Sequence, residues 1–271
     1  MAPWREAPSM VTYLKPGPAP SVEHFYHFVV QYLLPLFEKE LTDGVVGKGY
    51  IVRDCGPMNV WFDFVFGPDA FTIMSREKFR TAPAWRFWDR YIQMDTFADS
   101  KGLLIDVTRF RDVVTAFREK FVPGGTTCDT VTVLDRGLPP AYYLNGSAEK
   151  AGGGSIRRSI SNLDKLSQMI SERKPVNLVD FAEMSPADQM EAISRTTVLI
   201  GQHGAGLLQS IFLQEDAPLV ELKDTTKPKM HFRILAESLG REYRAFYLDE
   251  RHATLSPQML NEIVDYVVDR A

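Results

Sequence analysis

The sequence predicts an α/β protein built in two halves, and three observations carry that expectation. From Val131 onward, short β-branched runs alternate with helix-patterned segments, the βα order that gives a mainly parallel sheet with helices on its faces. Pro123-Gly124-Gly125-Thr126-Thr127 breaks both regular structures and separates this part from an earlier one with its own strands and helices. The chain has 271 residues, 45% hydrophobic and 24% charged, enough to bury a sizeable core as one large domain or two compact ones. The division reads as an N-terminal α/β domain over residues 1–122 and a C-terminal one over 126–271, with the last helix a candidate to pack back on the first.

In chain order, the first half offers a helix across His24–Glu40 and a strand at Gly49-Tyr50-Ile51-Val52. Apolar strand candidates follow at Val60-Trp61-Phe62, Phe71-Thr72-Ile73-Met74 and Leu103-Leu104-Ile105-Asp106, and a helix over Arg109–Phe121 closes the half. The second half opens with Val131-Thr132-Val133-Leu134-Asp135-Arg136, a β-branched run ending in arginine. A glycine-containing excursion over Asn145–Ser155 leads to Arg157-Arg158-Ser159-Ile160-Ser161-Asn162, read as the opening of a helix. After the strand Val176–Asp180, Ser185-Pro186-Ala187-Asp188 starts a helix with serine at the N-cap, proline at N1 and an acid at N3. Leu260, Ile263, Val264, Val267 and Val268 recur at helical spacing behind Ser256-Pro257, a final amphipathic helix.

The most informative stretch is Thr196–Ile200, then Gly201-Gln202-His203-Gly204-Ala205-Gly206, then Leu207–Leu213 and Pro218-Leu219-Val220-Glu221. It reads as a buried strand, a glycine-rich turn with one histidine, a helix and a second strand ending in a carboxylate. Two glycines spaced by one residue let the backbone approach an anion and take positive φ. The unpaired N–H groups of the next helical turn, with the helix dipole behind them, suit a phosphate. A tight packing turn is the plain alternative for the same glycines.

The order of an arginine at a strand end, Arg158-x-Ile160-x-Asn162, a strand, a Gln189-bearing helix, strand-Gly-Gln-His-Gly-Ala-Gly-Leu and strand-Glu221 resembles glycosyltransferase family 61. Glu23-His24-Phe25-Tyr26-His27-Phe28 followed by Leu33-Leu34-Pro35-Leu36 is similar to a further segment of that family, with Gln31 where members commonly carry an acid. The resemblance implies a GT-B-like fold: two Rossmann-like domains with the active site in the cleft between them, the donor held by the C-terminal half and the acceptor towards the N-terminal half. It implies transfer of a sugar from a UDP-sugar co-substrate to a glycan or glycoprotein hydroxyl. Xylose is the first expectation for that sugar and N-acetylglucosamine the alternative.

Roles follow from the chemistry such a transfer needs. A departing nucleoside diphosphate develops negative charge, which Arg136, Arg158, His203 and the backbone of Gly204-Ala205-Gly206 are suited to meet. Gln202 flanks the turn, Asn162 is expected to orient Arg158 or touch the nucleotide, or else to make a structural helix contact, and Glu221 is expected to accept ribose hydroxyls. The acceptor hydroxyl needs a base, with His27 first and Asp54 and His24 in reserve. Trp61, Phe62, Trp85 and Trp88 are candidate sugar-stacking platforms. No Asp-x-Asp sits at a convincing strand end, so metal-independent, inverting transfer is expected, with no cofactor beyond the sugar nucleotide.

Other classes are disfavoured by particular features. A net charge of −4 argues against a nucleic-acid partner. Cys55 and Cys128, the only cysteines, lack metal spacing and read as free thiols. No run of about twenty apolar residues is present to span a membrane. The expected location is cytoplasmic, or the secretory-pathway lumen if an N-terminal anchor is missing from the chain. A nicotinamide-dependent oxidoreductase would place its glycine turn after the first strand, whereas this one comes late. A nucleotide-sugar-binding module without catalysis is the remaining alternative, and Gln31 is the residue that favours it.

Overall fold

The computed structural model describes residues 11–16, 21–81, 89–99, 103–125, 127–148, 153–225 and 230–271. Residues 1–10, 126, 149–152, Trp85 and Trp88 lie outside the described residues. The protein is α/β with two parallel sheets. The first has order β3-β2-β1-β4, with β1 Val11–Lys15, β2 Ile51–Arg53, β3 Thr72–Met74 and β4 Asp89–Gln93. The second has order β10-β9-β8-β5-β7, with β5 Thr130–Leu134, β7 Val176–Val179, β8 Thr196–Gln202, β9 Leu219–Asp224 and β10 Tyr243–Leu248. A two-stranded parallel pair, β6 Ser159–Ile160 and β11 His252–Ala253, completes the strands.

Both orders contain a switch point, where successive crossovers leave a strand in opposite directions and open a crevice at the carboxyl ends. In the second sheet it lies between β5 and β8, whose register pairs Leu134 with Gly201. In the first it lies between β1 and β4.

The helices explain which faces are covered. In the first half α1 Phe25–Phe28, a π-helical turn Val29–Leu33 and α2 Leu34–Asp43 run continuously, followed by α3 Val60–Phe66, α4 Arg76–Thr81 and α5 Val107–Phe121. Asp106 caps α5 by accepting from the Arg109 N–H at 3.0 Å, and Phe110, Val113, Val114 and Phe117 give it a buried stripe. The second half carries α6 Gly154–Arg157, α7 Leu163–Ser171, α8 Pro186–Ser194, α9 His231–Ser238 and α10 Pro257–Val268. Ser185 and Ser256 cap α8 and α10 through the Asp188 and Met259 N–H groups, as the Ser-Pro signals predict.

Period-two alternation divides the second sheet between two cores. Val131, Val133, Val198, Ile200, Val220 and Leu222 pack under α7 and α10, with Leu260, Ile263 and Val267. The closing helix thus stays with the second sheet rather than returning to the first, because its apolar stripe matches this face. The opposite face, with Leu134, Leu199 and Leu219, joins one buried cluster that continues through Phe212, Phe117 and Phe37 to Leu14 under the first sheet. Phe117 stacks on Phe212 at 4.8 Å and meets Phe37 edge-on at 5.2 Å, so apolar packing runs between the halves through α5.

Four local expectations are corrected. Val60-Trp61-Phe62 is helical, because Gly67 at φ +91° stops a seven-residue helix whose apolar residues are packed on several sides. Leu103–Asp106 contributes only one bridge, Leu104 to Ala98. The segment after Gly204 is a 3-10 helix, Ala205–Phe212, and Arg157–Asn162 spans the end of α6, β6 and a turn before α7.

Candidate functional site

The switch point of the second sheet opens into a cleft of about 1200 Å³ whose facing side comes from the first half. From the second half it is lined by Arg136, Arg157, Arg158, Gln202, His203 and Gly204–Gly206, and from the first by His24, Phe25, Tyr26, His27, Met58 and Trp61. Three polar residues of the second-half wall adjoin strands: Arg136 comes two residues after β5, Arg158 immediately precedes β6, and His203 immediately follows β8.

The two arginines converge on one main-chain oxygen. Arg136 Nη1 donates to the His203 carbonyl at 3.2 Å, and Arg158 Nη1 donates to the same oxygen at 3.4 Å. Arg136 is braced further by the Gly154 carbonyl through Nη2 at 3.2 Å and Nε at 3.4 Å. Arg158 forms a buried ion pair with Asp224 at the end of β9, Nε to Oδ2 3.1 Å. Burial, and then the neighbouring charges of Arg158 and Arg157, push the Arg136 guanidinium down to about 10. It is still a cation at neutral pH, held where positive charge is unfavourable until an anion arrives.

The glycines have steric reasons. A Cβ added at Gly204 would lie 1.8 Å from Arg136 Nη1, so the guanidinium occupies the space a side chain would need. Gly201 fits β8 against Leu207 and Leu134, where a Cβ would come within 2.9 and 3.0 Å. Neither residue, nor Gly206, adopts positive φ; close approach rather than left-handed backbone is their use. Gly154 needs both, with φ +47° and a Cβ that would meet the Gly137 carbonyl at 2.4 Å. Asp180 fixes the neighbouring loop by accepting from the Gly137 N–H at 2.9 Å and the Ala182 N–H at 3.0 Å. The 3-10 helix starts at Ala205 in the cleft wall, and its first N–H groups have no intrahelical partner.

On the facing side, the His27 Nδ1 and Gln31 Oε1 are 3.2 Å apart. The Gln31 amide nitrogen donates to the Ala98 and Asp99 carbonyls at 3.3 and 2.8 Å, which leaves Oε1 as the acceptor. His27 therefore carries its proton on Nδ1 and its lone pair on Nε2, the form a general base requires. His24 stacks on Tyr143 at 5.1 Å, a contact between the two halves at the cleft mouth. Tyr26 meets Phe232 edge-on at 5.9 Å and Phe232 meets His203 at 5.2 Å, so an aromatic chain links the helix bearing His27 to the glycine turn.

Three anticipated residues are placed elsewhere. Glu221 is 1% exposed and lies behind His203, accepting from its Nδ1 and from the Tyr243 hydroxyl, so no ribose can reach it. Asn162 joins β6 to the segment after β11 by donating to the Leu255 carbonyl at 3.0 Å and accepting from the Leu255 N–H at 2.9 Å, the structural alternative of its two readings. Asp54 accepts from the Gly56 N–H at 2.8 Å and the Asn59 amide at 2.7 Å, and is not among the residues lining the cleft. Of the stacking candidates, Phe62 is buried against Phe28 and Tyr32, while Trp61 reaches the cleft wall.

Several cleft residues had no assigned role in the sequence reading. Gln189 donates to the Phe181 and Met184 carbonyls at 2.9 and 3.0 Å and accepts from Gln209. The oxygens Gln202 Oε1 and Gln209 Oε1 are buried without a protein donor. A polar Gln209 inside the apolar run Leu207–Leu213 is the sequence signal that marks the second. His231 and Phe232 carried no signal. Among the described residues no three His, Cys, Asp or Glu side chains are grouped to hold a metal ion, and no helix is long and apolar enough to cross a membrane. Cys55 and Cys128 form no disulfide; their thiols donate to the Arg53 and Ser194 carbonyls at 3.2 and 3.3 Å.

Comparison with known proteins bears on this arrangement. The chain is 34% identical over 93 residues to a β-1,2-xylosyltransferase of Arabidopsis thaliana, covering 33% of this chain and 17% of that protein. It is 26% identical over 117 residues to the β-1,2-xylosyltransferase RCN11 of Oryza sativa subsp. japonica, covering 41% of this chain and 22% of the other. The aligned parts thus span about a fifth of the length of these relatives. The family model described as Glycosyltransferase 61 matches residues 25–220, from the helix that carries His27 to the start of β9, the strand that carries Glu221. With more than half of its length matched, and residues of both cleft walls inside that match, among them His27, Arg136, Arg158 and His203, the chain belongs to glycosyltransferase family 61.

Proposed function

We propose that the protein is an inverting, metal-independent glycosyltransferase of GT-B arrangement that moves a sugar, xylose first, from a UDP-sugar to a glycan hydroxyl. The observation that carries the proposal is the convergence of Arg136 and Arg158 on the His203 carbonyl at a switch point, opposite a histidine with its lone pair on Nε2. In this reading the two sheets are the cores of two Rossmann-like domains, divided near residues 123–125. The fixed guanidiniums and the first-turn N–H groups meet the charge that grows on the departing diphosphate, the task a metal ion performs in other enzymes. His27 Nε2 takes the acceptor proton as the acceptor oxygen attacks the anomeric carbon and the bond to the diphosphate breaks. Gln202 Oε1 and Gln209 Oε1 are buried acceptors suited to hydroxyl or imide N–H donors of the nucleotide sugar. The xylosyl assignment rests on the names of the two plant relatives.

Calorimetry with UDP, UDP-xylose, UDP-N-acetylglucosamine, GDP and NAD, each with and without Mn²⁺, tests the donor side. Binding of UDP and UDP-xylose that is independent of metal and lost in Arg158→Ala is the expected result. A requirement for Mn²⁺ refutes the metal-independent mechanism, and preference for NAD refutes the donor assignment. The second reading, a nucleotide-sugar-binding module without catalysis, is favoured by one feature: His27 is held by neutral Gln31 rather than by a carboxylate. UDP-xylose binding with no xylosyl transfer or donor hydrolysis across a glycan panel would select it.

A further inference from the structure

His203 does more than lend its carbonyl to two arginines. Its N–H donates to the Leu222 carbonyl at 2.9 Å, and its ring is clasped between Phe232 and the Glu221 carboxylate. Glu221 lies in β9 with its two oxygens divided: Oε1 accepts from His203 Nδ1, and Oε2 accepts from the Tyr243 hydroxyl on β10. The parallel register of β8, β9 and β10 sets Gly201, Glu221 and Ala245 side by side, which brings the three participants together across adjacent strands. A carboxylate has no proton to give, so Nδ1 carries it and Nε2 is the nitrogen the cleft receives.

We propose that Glu221 and Tyr243 are positioning residues: they hold the His203 ring so that Nε2 points at the phosphoryl oxygens of a bound nucleoside diphosphate, and they support the imidazolium that donates to it. The ligand's name rests on the donor reading above; the ring geometry does not. Without Glu221, a third positive charge beside Arg136 and Arg158 would be disfavoured. With it, His203⁺ and Glu221⁻ form a neutral pair behind the phosphate, and the ring gains a second charge-assisted hydrogen bond. The charged and titratable groups around the ring are Glu221 on β9, Tyr243 on β10, Arg136 after β5, and Arg158 with Asp224. His231 and Tyr26 lie beyond Phe232. No proton leaves the ring in this role; the hydrogen bond to the phosphoryl oxygen strengthens as charge gathers there.

The test is nitrogen and proton NMR of the histidine rings in the full chain, free and with UDP, in wild type, Glu221→Gln and Tyr243→Phe. In the wild type the His203 Nδ1 proton should be resolved far downfield, and UDP should convert the ring to the doubly protonated form. Glu221→Gln should abolish that conversion and weaken UDP about tenfold, while Tyr243→Phe should move the Nδ1 resonance and weaken UDP about threefold, as loss of one charge-assisted and one ordinary hydrogen bond would. If Glu221→Gln does not fold, the single-oxygen deletion in Tyr243→Phe carries the test by its resonance shift. A ring whose resonances and UDP affinity are unchanged in both folded variants, with only melting temperature lowered, overturns the proposal. If the free-state resonances respond as expected and UDP does not bind to the wild type, the positioning of the ring stands and the donor reading falls.

Discussion

The two walls of the cleft are built on different electrical principles. The wall from the second sheet holds permanent cations, Arg136, Arg157 and Arg158, offset by Asp180 and the buried Asp224. The wall from the first sheet presents imidazoles in neutral settings: His27 against the Gln31 amide and His24 against the Tyr143 ring. The contrast follows the chemistry of group transfer. A departing diphosphate needs charge that does not titrate, whereas an acceptor hydroxyl needs a base that can gain a proton near neutrality.

That division is broken most severely by removing the base. His27→Ala should lower kcat by about 10²- to 10⁴-fold while leaving the calorimetric affinity for UDP within about twofold. Arg158→Ala should act oppositely, weakening UDP about 100-fold, and it should also destabilise the fold by about 3 kcal/mol in urea melts because the buried Asp224 loses the Arg158 guanidinium. Adding Asp224→Asn should restore much of the stability and none of the binding. Gly204→Ala sharpens the picture without touching a charge. Its new methyl displaces the Arg136 guanidinium and should weaken UDP about tenfold with the melting temperature nearly unchanged.

Smaller effects probe each wall's tuning. Gln31→Glu places a carboxylate against His27 Nδ1 and favours the imidazolium. The acidic limb of the kcat/KM profile should therefore move to higher pH by about one unit. On the cationic wall, burial and then the neighbouring arginines push the Arg136 guanidinium down to about 10, and in the proposed reading the charged form holds phosphate. UDP affinity should fall a few-fold as pH rises through that value, with Arg136→Gln showing no such fall.

The donor wall was largely legible in the sequence because strand ends, glycine spacing and arginine position are local signals. Arg136, Arg158, His203 and Gly204 all stand where that reading puts them, at the cleft. What the sequence hid was which way side chains turn once strands are registered. Glu221 looks like an exposed strand end, yet β10 covers its far side and Tyr243 occupies it. Asn162 reads equally as a partner of Arg158 or the nucleotide and as a structural helix contact, and a segment more than ninety residues later takes both ends of its amide. Val60-Trp61-Phe62 has the composition of a strand and forms a helix, since tertiary packing around Phe28 and Tyr32 outweighs intrinsic preference. β1 escaped notice as a five-residue run, although it is central to its sheet and leads into the segment carrying His24 and His27.

The π-helical turn Val29–Leu33 acts as a phase shifter inside an otherwise regular helix. A π-turn accommodates one residue more than an α-turn, so the segment ahead of it is rotated by about 100° relative to an unbroken helix. Downstream, Leu34, Leu36 and Phe37 are locked in the core and fix the helix there. Upstream, His27 owes its direction to the surplus residue. Shortening this span by a single residue would remove one of five fully buried side chains and turn His27 about 100° away from its present direction in the cleft.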